Sequence, residues 1–310
     1  MPTFSLAEQT RLPSQVRALE LDLFHSPYYV KPYALGPPNV LTLYDTIPTR
    51  YPSYYPRHTR STIRLLKRLA LRSATHCLAI SSATKADFVR YYSLSPRRVT
   101  AVPLAVDSHF RPADAAAIAA TLSRYQLPHG YVLYLGINKP HKNLVRLIEA
   151  WSQVVRPGSF PLVLAGPEDP RYPQARQRAA KLGLEDAVRF PGSIAEADLP
   201  ALYSAAIAFV FPSLWEGFGL PVLEAMACGV PTACSNTSSL PGIAGDAAVT
   251  FDPADVEAIA ATLRRLLGDV DLRGQLRERG LAQVRRFTWA ETARRTLQVY
   301  RAVAATPSRH

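Results

Sequence analysis

The sequence predicts an α/β protein made of two Rossmann-like, doubly wound parallel-sheet domains, the first of them shortened. Three observations carry this. Short β-branched or apolar runs alternate with helical stretches through the second half of the chain, which is the grammar of right-handed βαβ units. The same grammar recurs, in fewer repeats, within the first hundred residues. The length of 310 residues exceeds one typical domain, and a composition of 48% hydrophobic and 19% charged residues is that of a folded globular chain.

In the first part DLFHSPYY, NVLTLYD, THCLAI and RVTAVPL read as strands, with helices over 57–72 and 82–91. Only a short helix-like stretch precedes Asp22, so this domain has room for about four strands. Pro103 and Pro112 bracket a helix-breaking link. In the second part YVLYLG leads to a helix over 143–155, PLVLAG to one over 171–182, and AVRFPG to one over 196–205. IAFVFPS, a helix from Leu220 and VPTACS follow, and beyond Pro253 the pattern is helical to Ala304. The expected domains are 1–112, 113–287, and a C-terminal helical segment 288–310 that crosses back toward the first.

Charge is uneven. Residues 1–112 hold fifteen Lys/Arg against six Asp/Glu; the rest hold 21 against 18, for a net of +12. Such a field attracts nucleic acid, an anionic membrane or a phosphorylated substrate. Nucleic acid is set aside, because the chain has neither an aromatic RNA-binding signature nor a helix-turn-helix context. Cys77, Cys228 and Cys234 lack paired metal-ligand spacing and read as buried thiols. With no signal-peptide order and no run long enough to span a bilayer, the expectation is a cytoplasmic protein.

The segment with the most chemistry is PSLWEGFGLPVLEAMACG, residues 212–229. Glu216 follows a buried strand, two glycines and Pro221 shape a turn, and LPVLEAMAC opens a helix whose free N–H groups suit a diphosphate. Glu224 lies one turn inside that helix. Two carboxylates so placed can accept hydrogen bonds from vicinal hydroxyls of a sugar or ribose.

EGFGLPVLEAMACGVP resembles the E-x7-E motif of the retaining family 4 glycosyltransferases, whose GT-B fold sets two Rossmann-like domains about a cleft. FHSPYY, AISSATKADF, KNLVRLIEAW, SLPGIAGDAAVTFDP and Phe287-Thr288-Trp289 extend the resemblance over nearly the whole chain. It implies transfer of a hexose such as mannose from a GDP- or UDP-linked donor to a glycan or lipid-linked acceptor, without a metal. The leaving phosphate helps to deprotonate the acceptor on the same face.

Carried over residue by residue, the resemblance gives Glu224 the donor ribose, Glu216 the sugar hydroxyls, and Phe218, Gly219 and Leu220 backbone N–H groups for the sugar or diphosphate. Gly136 opens the loop GINKPHKN, in which Lys142 matches the second of two family cations; Lys139 or His141 stands for the first. Ser193, after Pro191 and Gly192, lies where such enzymes hold the base. His25 matches a histidine facing the donor sugar, and Ser81 a contact to either substrate. The chain departs from the family at Tyr44, where relatives have His before the aspartate that is Asp45 here, and at Gly242, where they have Glu. The family's opening strand and glycine-rich loop have no counterpart before Phe4. An alternative therefore stands beside transfer, a nucleotide-sugar-binding module with weak or no activity. Association into a homo-oligomer that covers the exposed sheet edge is expected.

One feature lies outside the motif. Arg57, Arg60, Arg64, Lys67, Arg68 and Arg72 fall within an arc of about 140° on a helix, with Ile63, Leu66, Leu69 and Ala70 mostly opposite. This reads as a solvated basic face over a buried apolar one, or as a surface that docks on an anionic membrane at its inner face.

Overall fold

The computed structural model describes residues 6–54, 56–156 and 160–305. They form two compact units, one from the residues up to Leu104 together with those from Trp289 onward, the other from Ala105–Thr288.

The first unit runs α1 (Leu6–Ala18), β1 (Phe24–Ser26), β2 (Asn39–Leu43), α2 (Ile47–Arg50), α3 (Arg57–Ser73), β3 (His76–Ala79), α4 (Ser82–Tyr92) and β4 (Val99–Ala101). The four strands pair in parallel in the order β1-β2-β3-β4. Strand alternation sends side chains to opposite faces. Leu41 and Leu43 of β2 pack with Ala70 and Leu71 of α3 and Phe88 of α4. Val40, on the other face, packs with Leu78, Val102, Val299 and Val303. The last two belong to α13 (Trp289–Ala304), so the end of the chain supplies one whole layer of this unit. Thr292 adds a hydrogen bond to the carbonyl of Pro103 at 2.7 Å.

The second unit contains α5 (Ala115–Arg124), β5 (Val132–Leu135), α6 (Leu144–Ser152), β6 (Leu162–Ala165), α7 (Gln174–Lys181), β7 (Val188–Gly192) and α8 (Leu199–Ser204). It continues with β8 (Ala208–Phe211), α9 (Leu220–Ala227), β9 (Thr232–Ser235), α10 (Leu240–Ala244), β10 (Ala248–Phe251), α11 (Val256–Gly268) and α12 (Val270–Val284). Its strands are all parallel, in the order β10-β9-β8-β5-β6-β7. The central strands β5, β6, β8 and β9 are buried almost throughout, as a sheet covered on both faces requires. Pro191 is tolerated in β7 because β7 is an edge strand.

The two parallel α/β sheets are the ones the sequence predicts, with differences in detail. β10 escapes sequence reading because it is four residues long and half exposed at an edge. α7 starts only after Pro173, and α6 stops at Ser152, three residues short of its expected end.

The expected orientation of α3 is corrected. Its buried stripe runs through Lys67, Ala70, Leu71 and the following Ala74, while Leu65 and Leu69 are exposed at 56% and 36%. Packing of the stripe onto β2 and α4 sets this rotation. Lys67 therefore leaves the basic face. Burial of its ammonium is made tolerable by the carbonyl of Asp45 at 3.3 Å and by the ring of Tyr29, whose centroid is 5.0 Å away. Arg57, Arg64, Arg68 and Arg72 remain exposed, Arg60 partly so.

Candidate functional site

From β5 the chain of the second unit builds outward through β6 and β7, then returns to the other side of β5 with β8, β9 and β10. The gap between the carboxyl ends of β5 and β8 is thus the topological switch point, where open α/β sheets hold ligands. The loops after these two strands carry the predicted residues. Lys142 ends a single 3-10 turn, Pro140–Lys142, after β5. Glu216 lies between β8 and α9.

Their side chains meet. The Nζ of Lys142 donates to Oε1 of Glu216 at 2.6 Å, with only 15% and 11% of the two side chains exposed. The ammonium also lies 5.2 Å from the ring centroid of Phe211 at the end of β8. The two loops are fastened independently of this pair. Leu214 N–H donates to the carbonyl of His141 at 2.8 Å. Asn143, in the left-handed region at φ 63°, donates from Nδ2 to the carbonyls of Pro212 and Pro253. Ser238 accepts from the N–H of Glu216, and Ser239 donates to the carbonyls of Glu216 and Phe218. These bonds within the protein hold both loops, which lowers the cost of ordering groups around a ligand.

Gly219 begins α9 with φ 118°, and a Cβ there would sit 2.7 Å from Leu240. Both the backbone angle and the packing demand glycine. Pro221 occupies the first turn without an N–H, so the backbone donors at this end of the helix are those of Phe218, Gly219 and Leu220. The ring of Phe218 is buried against Phe287, so this residue faces the loop with its backbone. Gly136 closes β5 at φ 152°.

Glu224, on α9, accepts from the hydroxyl of Tyr203 at 2.8 Å. Burial holds its carboxyl above the usual carboxylate range, while Tyr203 pulls the other way. Sequence reading missed Tyr203 because it stands 21 residues away on α8 with no motif around it. It also missed Ser238 and Ser239, whose signal was a pair of hydroxyls just before a proline-opened helix.

The remaining predicted residues stand apart. His141 is buried, and desolvation followed by Lys142 and Lys139 lowers its pKa to about 3. It is therefore neutral, while Lys139, two residues before it, is half-buried. Ser193 is exposed just beyond β7. In the first unit, His25 at β1 is hydrogen bonded through Nδ1 to the Tyr300 hydroxyl and through Nε2 to Thr42 at 2.8 Å. Burial lowers its pKa, so it is a neutral imidazole tying β1, β2 and α13 together. Ser81 caps α4 by accepting from the N–H of Thr84. Asp45 Oδ1 accepts from the N–H of Ile47. All three cysteines are free and buried.

The switch point of this doubly wound sheet thus brings a cation, a carboxylate and a helix N-terminus together, with a second carboxylate further along that helix, groups whose chemistry suits a diphosphate and hydroxyls. Residues 126–283 match the family described as Glycosyl transferases group 1, and residues 1–110 match Glycosyltransferase Family 4. The chain belongs to these retaining family 4 glycosyltransferases, with the GT-B fold, whose donors are nucleotide sugars. It is 35% identical over 285 residues to O-antigen chain mannosyltransferase B of Escherichia coli, covering 90% of this chain and 74% of that one. It is 37% identical over 221 residues to the serotype-specific mannosyltransferase WbdA of the same species, covering 69% of this chain and 27% of that much longer protein. Among solved structures, Anabaena Alr3699/HepE in complex with UDP and glucose superposes with a TM-score of 0.80 at 20% identity, covering 97% of this chain and 84% of that one.

The state of Glu224 yields a prediction. Folded Glu224 holds its proton more tightly than the unfolded chain does, so ionising it costs native stability as pH rises past the ordinary glutamate range, and that cost persists at neutral pH. Glu224→Gln should melt above the wild type at neutral pH, with the difference closing near about pH 4. Thermal melts of the ligand-free proteins check this; equal melting at both pH values would contradict it.

Proposed function

We propose that this chain transfers a hexose, with mannose the preferred sugar, from a GDP- or UDP-linked donor to a glycan or lipid-linked acceptor. The observation that carries the reading is the buried Lys142–Glu216 pair at the switch point. A cation fixed there meets the diphosphate, and the carboxylate it releases is free to accept hydroxyls of the hexose. The two mannosyltransferase relatives support the choice of sugar.

In this reading Glu224 accepts hydrogen bonds from the donor ribose, and Tyr203 keeps its carboxylate in place. The free N–H groups around Phe218, Gly219 and Leu220 face the phosphates at the positive end of α9. Gly136 lets the backbone approach, and Ser193 borders the base. As the bond from the anomeric carbon to the phosphate oxygen breaks, negative charge grows on the diphosphate. Lys142 and Lys139 stabilise that charge. The acceptor oxygen bonds to the anomeric carbon on the same face, and its proton passes to the departing phosphate. His25 has both ring nitrogens bonded, to Tyr300 and Thr42, so it keeps β1, β2 and α13 together and has no nitrogen left for the sugar.

Donor binding is tested by thermal shift with GDP, UDP, GDP-mannose and UDP-glucose. One of them should raise the melting temperature, and Glu224→Ala should remove the rise. Lys142→Ala should lower kcat for transfer by about 10²- to 10³-fold. A donor that binds without any turnover would leave a nucleotide-sugar-binding module in place of a transferase. A chain that responds to none of the four would sink the donor reading.

Among the described residues no helix is long and apolar enough to cross a membrane. A lipid-linked acceptor would be met at a membrane surface, and the exposed face of α3 has the composition for it, with Leu65 and Leu69 among Arg64, Arg68 and Arg72. Sedimentation with phosphatidylglycerol vesicles should carry the protein down at low salt. Replacing Arg64, Arg68 and Arg72 together by Ala should leave it in solution; unchanged sedimentation would refute this face.

A further inference from the structure

At the carboxyl ends of β1 and β2, the edge of the first unit where an open sheet receives ligands, aromatic rings gather. Tyr28 follows β1 by two residues and Tyr44 directly follows β2. Both are exposed, at 44% and 38%. The Tyr28 ring lies 4.1 Å from that of Tyr29 and 6.2 Å from that of Tyr44, centroid to centroid. Beneath them is a pit lined by Tyr28, Tyr29, Tyr44, Asp45, Lys67 and Phe88, with enclosed space for about one water-sized group.

The polar groups around this pit are few and complementary. Lys67 is buried to 3% exposure, with its ammonium 5.0 and 5.9 Å from the ring centroids of Tyr29 and Phe88. Its one hydrogen bond among the described residues is the 3.3 Å contact to the Asp45 carbonyl, which leaves donors to spare. Asp45 spends Oδ1 on the N–H of Ile47. Its Oδ2 has no hydrogen-bond partner among the described residues. A donor and an acceptor thus both line the pit, beside aromatic rings tilted by 41° and 49° to that of Tyr28.

A pyranose ring has one face of C–H groups that stacks on a phenol ring, and a rim of hydroxyls that both donate and accept. A phosphate fits less well, because the Asp45 carboxylate would repel it. The donor's ribose, diphosphate and hexose are already met by groups of the second unit, so this edge is left for the other substrate. Resting on the transfer reading above, we infer that Tyr44 and Tyr28 form a stacking platform for a neutral pyranose ring of the acceptor, with one ring hydroxyl entering the pit between Lys67 and Asp45. Tyr44 then sets acceptor choice at the position where the family resemblance places histidine.

The test is equilibrium binding of neutral trisaccharides, α-mannotriose, maltotriose and cellotriose, to the full chain by saturation-transfer NMR and calorimetry, with the nucleotide thermal shift recorded on the same samples. At least one sugar should bind. Tyr44→Ala and Tyr28→Ala should each weaken it by about five- to tenfold, and Tyr44→Phe by no more than about twofold. The nucleotide shift should be the same in all variants, which separates lost stacking from lost folding. Equal sugar affinity in wild type and Tyr44→Ala overturns the platform. So does the failure of all three sugars to bind, and if the nucleotide shift persists in that case the donor reading survives without it.

Discussion

The buried ion pair between Lys142 and Glu216 is the interaction around which the second unit's site is arranged. Two opposite charges, each mostly removed from water, are held at 2.6 Å by loops that leave adjacent strands β5 and β8. A buried pair of this kind contributes little net stability, since desolvating both ions offsets most of their attraction. Its value is positional. The loops are already tied by Leu214 to His141, by Asn143 to two carbonyls, and by Ser238 and Ser239 to the Glu216 backbone. The charges therefore stay where they are when one of them is given a new partner. In the proposed function a diphosphate would offer Lys142 a doubly charged partner and sugar hydroxyls would offer Glu216 replacement donors, so that binding would be an exchange of hydrogen bonds between fixed groups.

The burial of Glu224 belongs to the same economy of fixed groups. Its carboxyl is held above the usual range by desolvation, with one hydrogen bond from Tyr203 in partial compensation. An acceptor left short of donors in this way gains more from a ribose diol than a solvated one would. The first unit contrasts with this. His25 is committed to Tyr300 and Thr42 and Ser81 to the start of α4, whereas Lys67 and Asp45 keep hydrogen-bonding capacity among the described residues.

Much of the fold was legible because parallel sheets bury both faces and announce themselves as apolar runs. VLYL, LVLA and AFVF are all of that kind. β10 was not legible, because an edge strand with exposed positions carries no such run. The segment from Glu216 to Glu224 was readable from local pattern, since glycines, proline and carboxylates at fixed offsets shape a loop before a helix, whereas Lys142 came from the family resemblance. Tyr203 and the serine pair were not, because their role arises from tertiary proximity. The rotation of α3 misled for a related reason. Periodicity set Lys67 among the arginines at the border of their arc, and packing against β2 and α4 decided that Lys67 goes inside and Leu65 outside.

The exchange at the ion pair can be measured directly as the affinity of GDP, which carries the diphosphate but no sugar, for Glu216→Ala and Lys142→Ala by titration calorimetry. If Lys142 is held by Glu216 until a diphosphate takes its place, Glu216→Ala should bind GDP at least as tightly as the wild type while losing affinity for GDP-mannose. Lys142→Ala should lose about tenfold or more for both. If Glu216→Ala weakens GDP as much as Lys142→Ala does, the two side chains act as one structural tie and the exchange does not occur.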